Sequence, residues 1–265
     1  MQALQAWFND PIVQSVVISP LVGAVLGVLF AGLNSSPSPN APITVQQTTV
    51  IFNKTVVVNE NRQRSGSPDD VWLYLFALVA AVAGTTWGYS RYASEILAHW
   101  STGLFACLAF ILAAGIASAL RGQYSNLEWA GYIFAPCIAV AFSLYLASLA
   151  ERGIIPGGRD AAQQNGLFDF YFRILKEEHR IWILFQLLGV ALGVVAALTA
   201  TLRSIHYLAL MNQRATGNLS KIWRSVAWIT LFSARSSGIF IVLIAIFSSY
   251  FMLSGQAYKL WTDVN

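Results

Sequence analysis

Long apolar blocks alternate with short polar joints along this chain. Six of the blocks approach the roughly 20 residues that a helix needs to cross about 30 Å of hydrocarbon. They run approximately over Ile12–Leu33, Val71–Tyr89, Trp100–Leu120, Trp129–Leu149, Ile181–Leu202 and Val226–Leu253. No Asp or Glu lies inside them. Of the basic residues, Arg91, Arg121, Arg203 and Arg224 stand near block ends and Arg235 lies inside the last block, unless that span begins near Gly238, the favoured reading, and Arg235 snorkels to the headgroups. The pattern predicts an all-α integral membrane protein, a bundle of about six spans forming one polytopic domain over residues 1–265. The first block follows Asp10 without a basic leader or a small-residue cleavage site, so it reads as a retained span.

The joints predict the remaining elements. Residues 34–70 open with SSPSPNAP, whose prolines cannot continue a helix, and read as an extramembrane loop. Within it, ITVQQTTVIF and TVVVNEN flank Asn53-Lys54, a pattern that predicts a β-hairpin over 44–60. Its strand-pairing positions are Thr48, Val50, Phe52, Val56 and Val58, and an isolated hairpin leaves two open edges that call for a partner. Residues 150–180 form a polar loop that starts with Gly153, Pro156, Gly157 and Gly158. There Phe168, Tyr171, Phe172 and Leu175 recur at helical spacing, as in a juxtamembrane amphipathic helix or an extension of the fifth span. Residues 203–225 read as the basic tip of a helical hairpin, because the apolar run from Ile181 to Asn212 would be about 48 Å long as a helix. Pro136 predicts a bend and a freed carbonyl in the fourth span.

Composition agrees with the pattern. Hydrophobic residues make up 56% of the chain and charged ones 11%, against roughly 25% charged in soluble domains. Lys and Arg counts near the span ends are nearly equal on the two sides, so the positive-inside rule does not orient the chain. The Ser/Thr/Asn-rich first loop favours export, which would leave both termini and the 150–180 loop in the cytosol. Between Arg180 and Thr262 all charged residues are basic. Lys176, Arg180, Arg203, Arg214, Lys221, Arg224 and Arg235 are therefore the expected contacts to anionic lipid or an acidic partner. Trp72, Trp87, Trp100, Trp129, Trp182, Trp228 and Trp261 fall near span ends, where indoles anchor helices at headgroup level.

Candidate chemistry is scarce. His99, His179 and His206 are isolated from one another, no HExxH spacing is present, and no phosphate-binding glycine loop or nucleophile elbow occurs. No catalytic residue, metal site or cofactor is expected. Cys107 and Cys137 sit in apolar spans and read as small hydrophobes. Helix contacts are better marked: Gly23 and Gly27 in the first span, and Gly189 and Gly193 in the fifth, form small-residue stripes that allow close approach within or between subunits. These features point to a non-enzymatic, self-associating protein of a bacterial-type inner membrane. It would sense or perturb the bilayer and engage a protein partner through its loops, as sensors or effectors of antiviral defence do. A channel or transporter subunit is the alternative. Lipid is the expected partner and nucleic acid is not.

Overall fold

The computed structural model describes Val13, residues 17–32, 68–120, 127–212 and 219–264, and among these residues it is helical with no strand. The expected hairpin over 44–60 lies outside the described residues. The helices are α1 (Ser19–Gly32), α2 (Pro68–Leu120), α3 (Leu127–Arg152), α4 (Gly158–Gln164), α5 (Leu167–Asp169), α6 (Glu177–Asn212), α7 (Leu219–Ile229), α8 (Leu231–Ala234), α9 (Ser236–Leu253) and α10 (Gln256–Val264). Four of them, α2, α3, α6 and α9, are long and apolar enough to cross a membrane, and α1 carries a shorter apolar stretch, Ser19–Phe30. This fits a chain built into a bilayer.

Two expected spans are joined. Val71–Tyr89 and Trp100–Leu120 belong to one helix, α2, bent at Tyr92, whose φ of −122° and ψ of 18° leave the helical region. Composition between the blocks explains the continuity: RYASEILAH contains neither Gly nor Pro and is rich in residues that tolerate a helix.

The bundle has two ends, named here by the residues that mark them. At the Arg152 end, α3 gives way to α4 and α5, and Gly255 turns α9 into α10 with a φ of 81°. At the Asn212 end, α6 meets the end of α1, where the Asn212 amide donates to the Phe30 carbonyl. Neighbouring helices are fastened at both ends. Trp129 Nε1 donates to Ser118 Oγ at 2.9 Å and ties α3 antiparallel to α2. Ser249 Oγ donates to the Gly189 carbonyl at 2.7 Å and ties α9 antiparallel to α6.

Small residues set the helix spacing. A Cβ on Gly23 would strike the Ala106 carbonyl, and one on Gly27 would strike that of Phe110, so α1 lies backbone to backbone on α2. At Gly189 a Cβ would come within 2.7 Å of Leu253, and at Gly193 within 2.8 Å of Trp100. All four glycines thus face partners in the same chain. In lipid such close approach replaces the hydrophobic drive that water would supply.

The apolar core falls into two layers. Around Tyr132, Ile111, Val140 and Leu208 one cluster fills the Asn212 half, while Leu97, Leu146, Phe170 and Ile183 centre the other at the Arg152 end. Cys107 and Cys137 are free thiols packed against the first cluster.

The loop over 150–180 is more segmented than its spacing predicts. After α5 the chain makes a π turn over Phe170–Ile174, breaks at Leu175 with a ψ of 117°, and starts α6 at Glu177. The short helix is therefore separate from α6 and not its extension. It turns Phe170 and Leu175 inward and leaves Phe168 and Phe172 exposed and stacked, with ring centroids 6.3 Å apart.

Candidate functional site

A group of polar side chains gathers inside the bundle near the Asn212 end, where α3, α6 and the last span meet. Their arrangement begins with Pro136. Proline carries no N–H, so the Tyr132 carbonyl four residues earlier loses its own-helix donor. Ser204 Oγ, fully buried on α6, supplies the replacement at 2.9 Å.

The side chain of Tyr132 is used as well. Arg203 lays its guanidinium 4.5 Å from the Tyr132 ring centroid, and Tyr207 stacks on the same ring at 5.6 Å. The cation–π contact is worth on the order of 1 kcal/mol in a partly desolvated place.

Arg203 then reaches the last span, which is not one helix. α7 ends at Ile229, Thr230 leaves helical geometry with a φ of −88° and ψ of 1°, α8 adds one turn, and Arg235 is extended with a ψ of 164°. Only at Ser236 does the long helix α9 begin. The breaks free the carbonyls of Ser233 and Ala234, and Arg203 Nη1 donates to both at 3.0 Å. The planar guanidinium suits the contact with the Tyr132 ring in a way that a Lys ammonium does not. Gly238 completes the joint, since a Cβ there would meet the Ser233 carbonyl.

His206 is buried one turn beyond, with Nδ1 3.0 Å from Thr230 Oγ1. The Thr230 hydroxyl gives its own proton to the Val226 carbonyl at 2.7 Å. Thr230 Oγ1 thus sits between the Val226 carbonyl and the His206 ring, within hydrogen-bond distance of both. Among the described residues no carboxylate joins this cluster. A cation held by neutral carbonyls and a ring keeps its net positive charge.

α7 lies next to the joint and is strongly amphipathic. Trp223 and Ala227 are buried, with Trp223 edge-on to Phe30 at 5.2 Å, while Lys221, Arg224 and Trp228 share the opposite, exposed side. Ile222, Ile229 and Phe232 flank them, also exposed. The end of α6 is covered. His206, Tyr207, Leu208, Ala209 and Leu210 are all buried.

The expected basic contacts separate into two groups. Arg203, Lys221, Arg224 and Arg235 come together at the Asn212 end. Lys176 and Arg180 lie at the other, where Arg180 Nε donates to the Leu175 carbonyl and sits over Tyr171. Arg214 and the strand positions Thr48, Val50, Phe52, Val56 and Val58 are outside the described residues. His99 and Glu95, one turn apart on α2, do not pair through their side chains. His99 Nδ1 contacts the Glu95 carbonyl, and the Glu95 carboxylate turns instead to Ser94 and Arg159, the latter at 2.7 Å. Among the described residues no three His, Cys, Asp or Glu side chains group to hold a metal.

No family model, curated protein or solved structure matches this chain. Its site is therefore read from its own geometry. The elements that sequence reasoning missed are the break at Thr230 and the tie to Arg203. At Arg235 the signal was present in Ser236, Ser237 and Gly238, which place the start of the last long helix after Arg235 and leave that arginine at its mouth, exposed.

Several tryptophans also serve differently from the interfacial role their positions suggest. Trp87 donates to the Ala162 and Asn165 carbonyls, Trp182 to the Gly153 carbonyl, and Trp129 to Ser118. They fasten the joints to the bundle. Trp72, Trp228 and Trp261 remain exposed, as headgroup anchors would be.

Proposed function

We propose that this protein is a non-enzymatic, six-span sensor or effector of the bilayer that self-associates in a bacterial-type inner membrane and engages a protein partner through its joints. A role in antiviral defence belongs to the same reading. The observation that carries it is the divided last span, with amphipathic α7 lying beside the Arg203 joint. Lys221, Arg224 and Arg235 provide charge for anionic headgroups, and Ile222, Trp228, Ile229 and Phe232 provide the apolar surface that an interfacial helix buries. Lipids that pull on α7 act directly on the carbonyls that Arg203 holds, which links the membrane surface to the centre of the bundle.

Lipid selectivity tests the proposal. In vesicles of mixed neutral and anionic lipid, spin-labelled anionic lipid should be enriched at the protein boundary, and the triple variant Lys221→Gln, Arg224→Gln, Arg235→Gln should lose most of that enrichment. Equal boundary composition in the two proteins would remove α7 as the lipid-reading element.

A channel or transporter subunit is the second reading, favoured by one specific observation. Divided spans with freed carbonyls at a buried charge are how transporters build midplane sites. Flux of a small ion into vesicles that changes in Arg203→Gln would favour it. Absence of flux for wild type under any gradient would set it aside.

A further inference from the structure

Two buried polar side chains at the Arg152 end face one cavity. Tyr89 on α2 is 7% exposed and Gln186 on α6 is 1% exposed. Neither the Tyr89 hydroxyl nor Gln186 Oε1 has a hydrogen-bond partner among the described residues. The nitrogen of the same amide is committed elsewhere, with Nε2 3.5 Å from the Leu253 carbonyl. Each unpaired oxygen gave up hydrogen bonds to water when the chain folded, so each calls for a replacement.

The cavity that Tyr89 and Gln186 share measures about 20 Å³ and is lined as well by Ala93, Ile183 and, from the joint between α3 and α4, Gly153 and Ile155. Gly153 is what leaves the amide its place, since a Cβ there would come within 2.5 Å of Gln186 Nε2. One water requires about 10–15 Å³ of such space and at least two polar partners. The volume suits a single water, and no charged side chain lines the cavity to hold an ion. Hydrogen-bond chemistry agrees with a neutral guest. A phenol hydroxyl can donate, an amide oxygen can only accept, and water does both.

We propose that this cavity binds one water molecule, which accepts a hydrogen bond from the Tyr89 hydroxyl and donates one to Gln186 Oε1, bridging α2 to α6 beside the α3–α4 joint. The two ends of the bundle are then fastened differently. Near Asn212, Ser204 reaches the Tyr132 carbonyl directly, whereas at the Arg152 end the tie passes through an exchangeable molecule. The site lies away from α7 and stands independently of the lipid reading.

Radiolytic hydroxyl labelling of the full-length protein in nanodiscs tests this. X-ray pulses make hydroxyl radicals from bound as well as bulk water, and a bound water marks the side chain beside it. Tyr89 should be hydroxylated severalfold faster than Tyr207, which is 2% exposed and packed in the apolar cluster of the other half. Gln186→Leu removes one of the two partners and should bring the Tyr89 rate down to that of Tyr207, with labelling of the rest of the chain unchanged. If that variant does not fold, Ala93→Val fills the cavity while keeping both polar groups, and should have the same effect. A wild-type Tyr89 rate no higher than that of Tyr207 overturns the site. A fast rate that the folded variant fails to lower overturns it too, because the radicals then come from bulk solvent.

Discussion

Ser204 donates its hydroxyl to the carbonyl of Tyr132, the acceptor that Pro136 deprives of a partner within its own helix. One residue creates the vacancy and another, on a different span, fills it. Ser204→Ala should therefore leave a buried acceptor unpaired and cost about 1–2 kcal/mol, seen as a lower melting temperature in detergent. In a Pro136→Ala background the helix supplies its own donor, so the same change should cost clearly less. A double-mutant cycle that returns no coupling would show that the two residues act independently.

The Arg203 joint makes a sharper demand on chemistry than on charge. Arg203→Lys keeps the cation but loses the planar face over Tyr132 and, with a shorter side chain, cannot hold that ring and the Ser233 and Ala234 carbonyls at once. Both Arg203→Lys and Arg203→Met should destabilise the fold by about 1.5–3 kcal/mol. They should also speed limited proteolysis between α7 and α9. A lysine variant indistinguishable from wild type in both measurements would remove the geometric role assigned to the guanidinium.

Gly238 and Gly131 form a matched pair of helical glycines. A Cβ at Gly238 meets the Ser233 carbonyl, whereas one at Gly131 meets nothing within 4 Å. Gly238→Ala must push α8 off the mouth of α9 and should cost about 1–3 kcal/mol. Gly131→Ala should be neutral or gain about 0.5–1 kcal/mol from helix propensity. Thermal stability of the two variants side by side is the check.

Oligomer contacts and bundle contacts predict different outcomes at the glycine stripes. Because Gly23 and Gly27 are pressed against Ala106 and Phe110 of the same chain, Gly23→Leu should detach α1 and lower stability. The number of subunits, measured by mass in nanodiscs, should stay unchanged. A shift in subunit number at unchanged stability would move the stripe to a subunit contact.

What the sequence made legible was what solvent dictates. Apolar blocks and polar joints follow from transfer free energy, and they locate α3, the start of α6 and the end of α9 closely. Pro136 announces a freed carbonyl, because its missing N–H is a local fact, and Gly238 announces where the last long helix begins. Partners were not legible. The groups that hold Arg203 are the carbonyls of Ser233 and Ala234, and carbonyls are the same at every position. Only the break in the last span decides which of them are free. The indoles of Trp87, Trp129 and Trp182 stand where an interfacial anchor would stand, and nothing in their neighbours' identity says that each finds a hydrogen-bond acceptor inside the protein. The bend at Tyr92 was hidden for the opposite reason: RYASEILAH suits a helix, so no residue marks the turn.

The parallel contact between α1 and the second half of α2 also sets a clock on biogenesis. Ser19, Gly23 and Gly27 meet their partners only after 83 more residues have been made, which at ~5–20 residues per second takes about 4–17 s. Until then α1 waits in the insertion machinery or the lipid with its glycine groove uncovered, a ready ligand for whatever chaperone or neighbouring helix reaches it first.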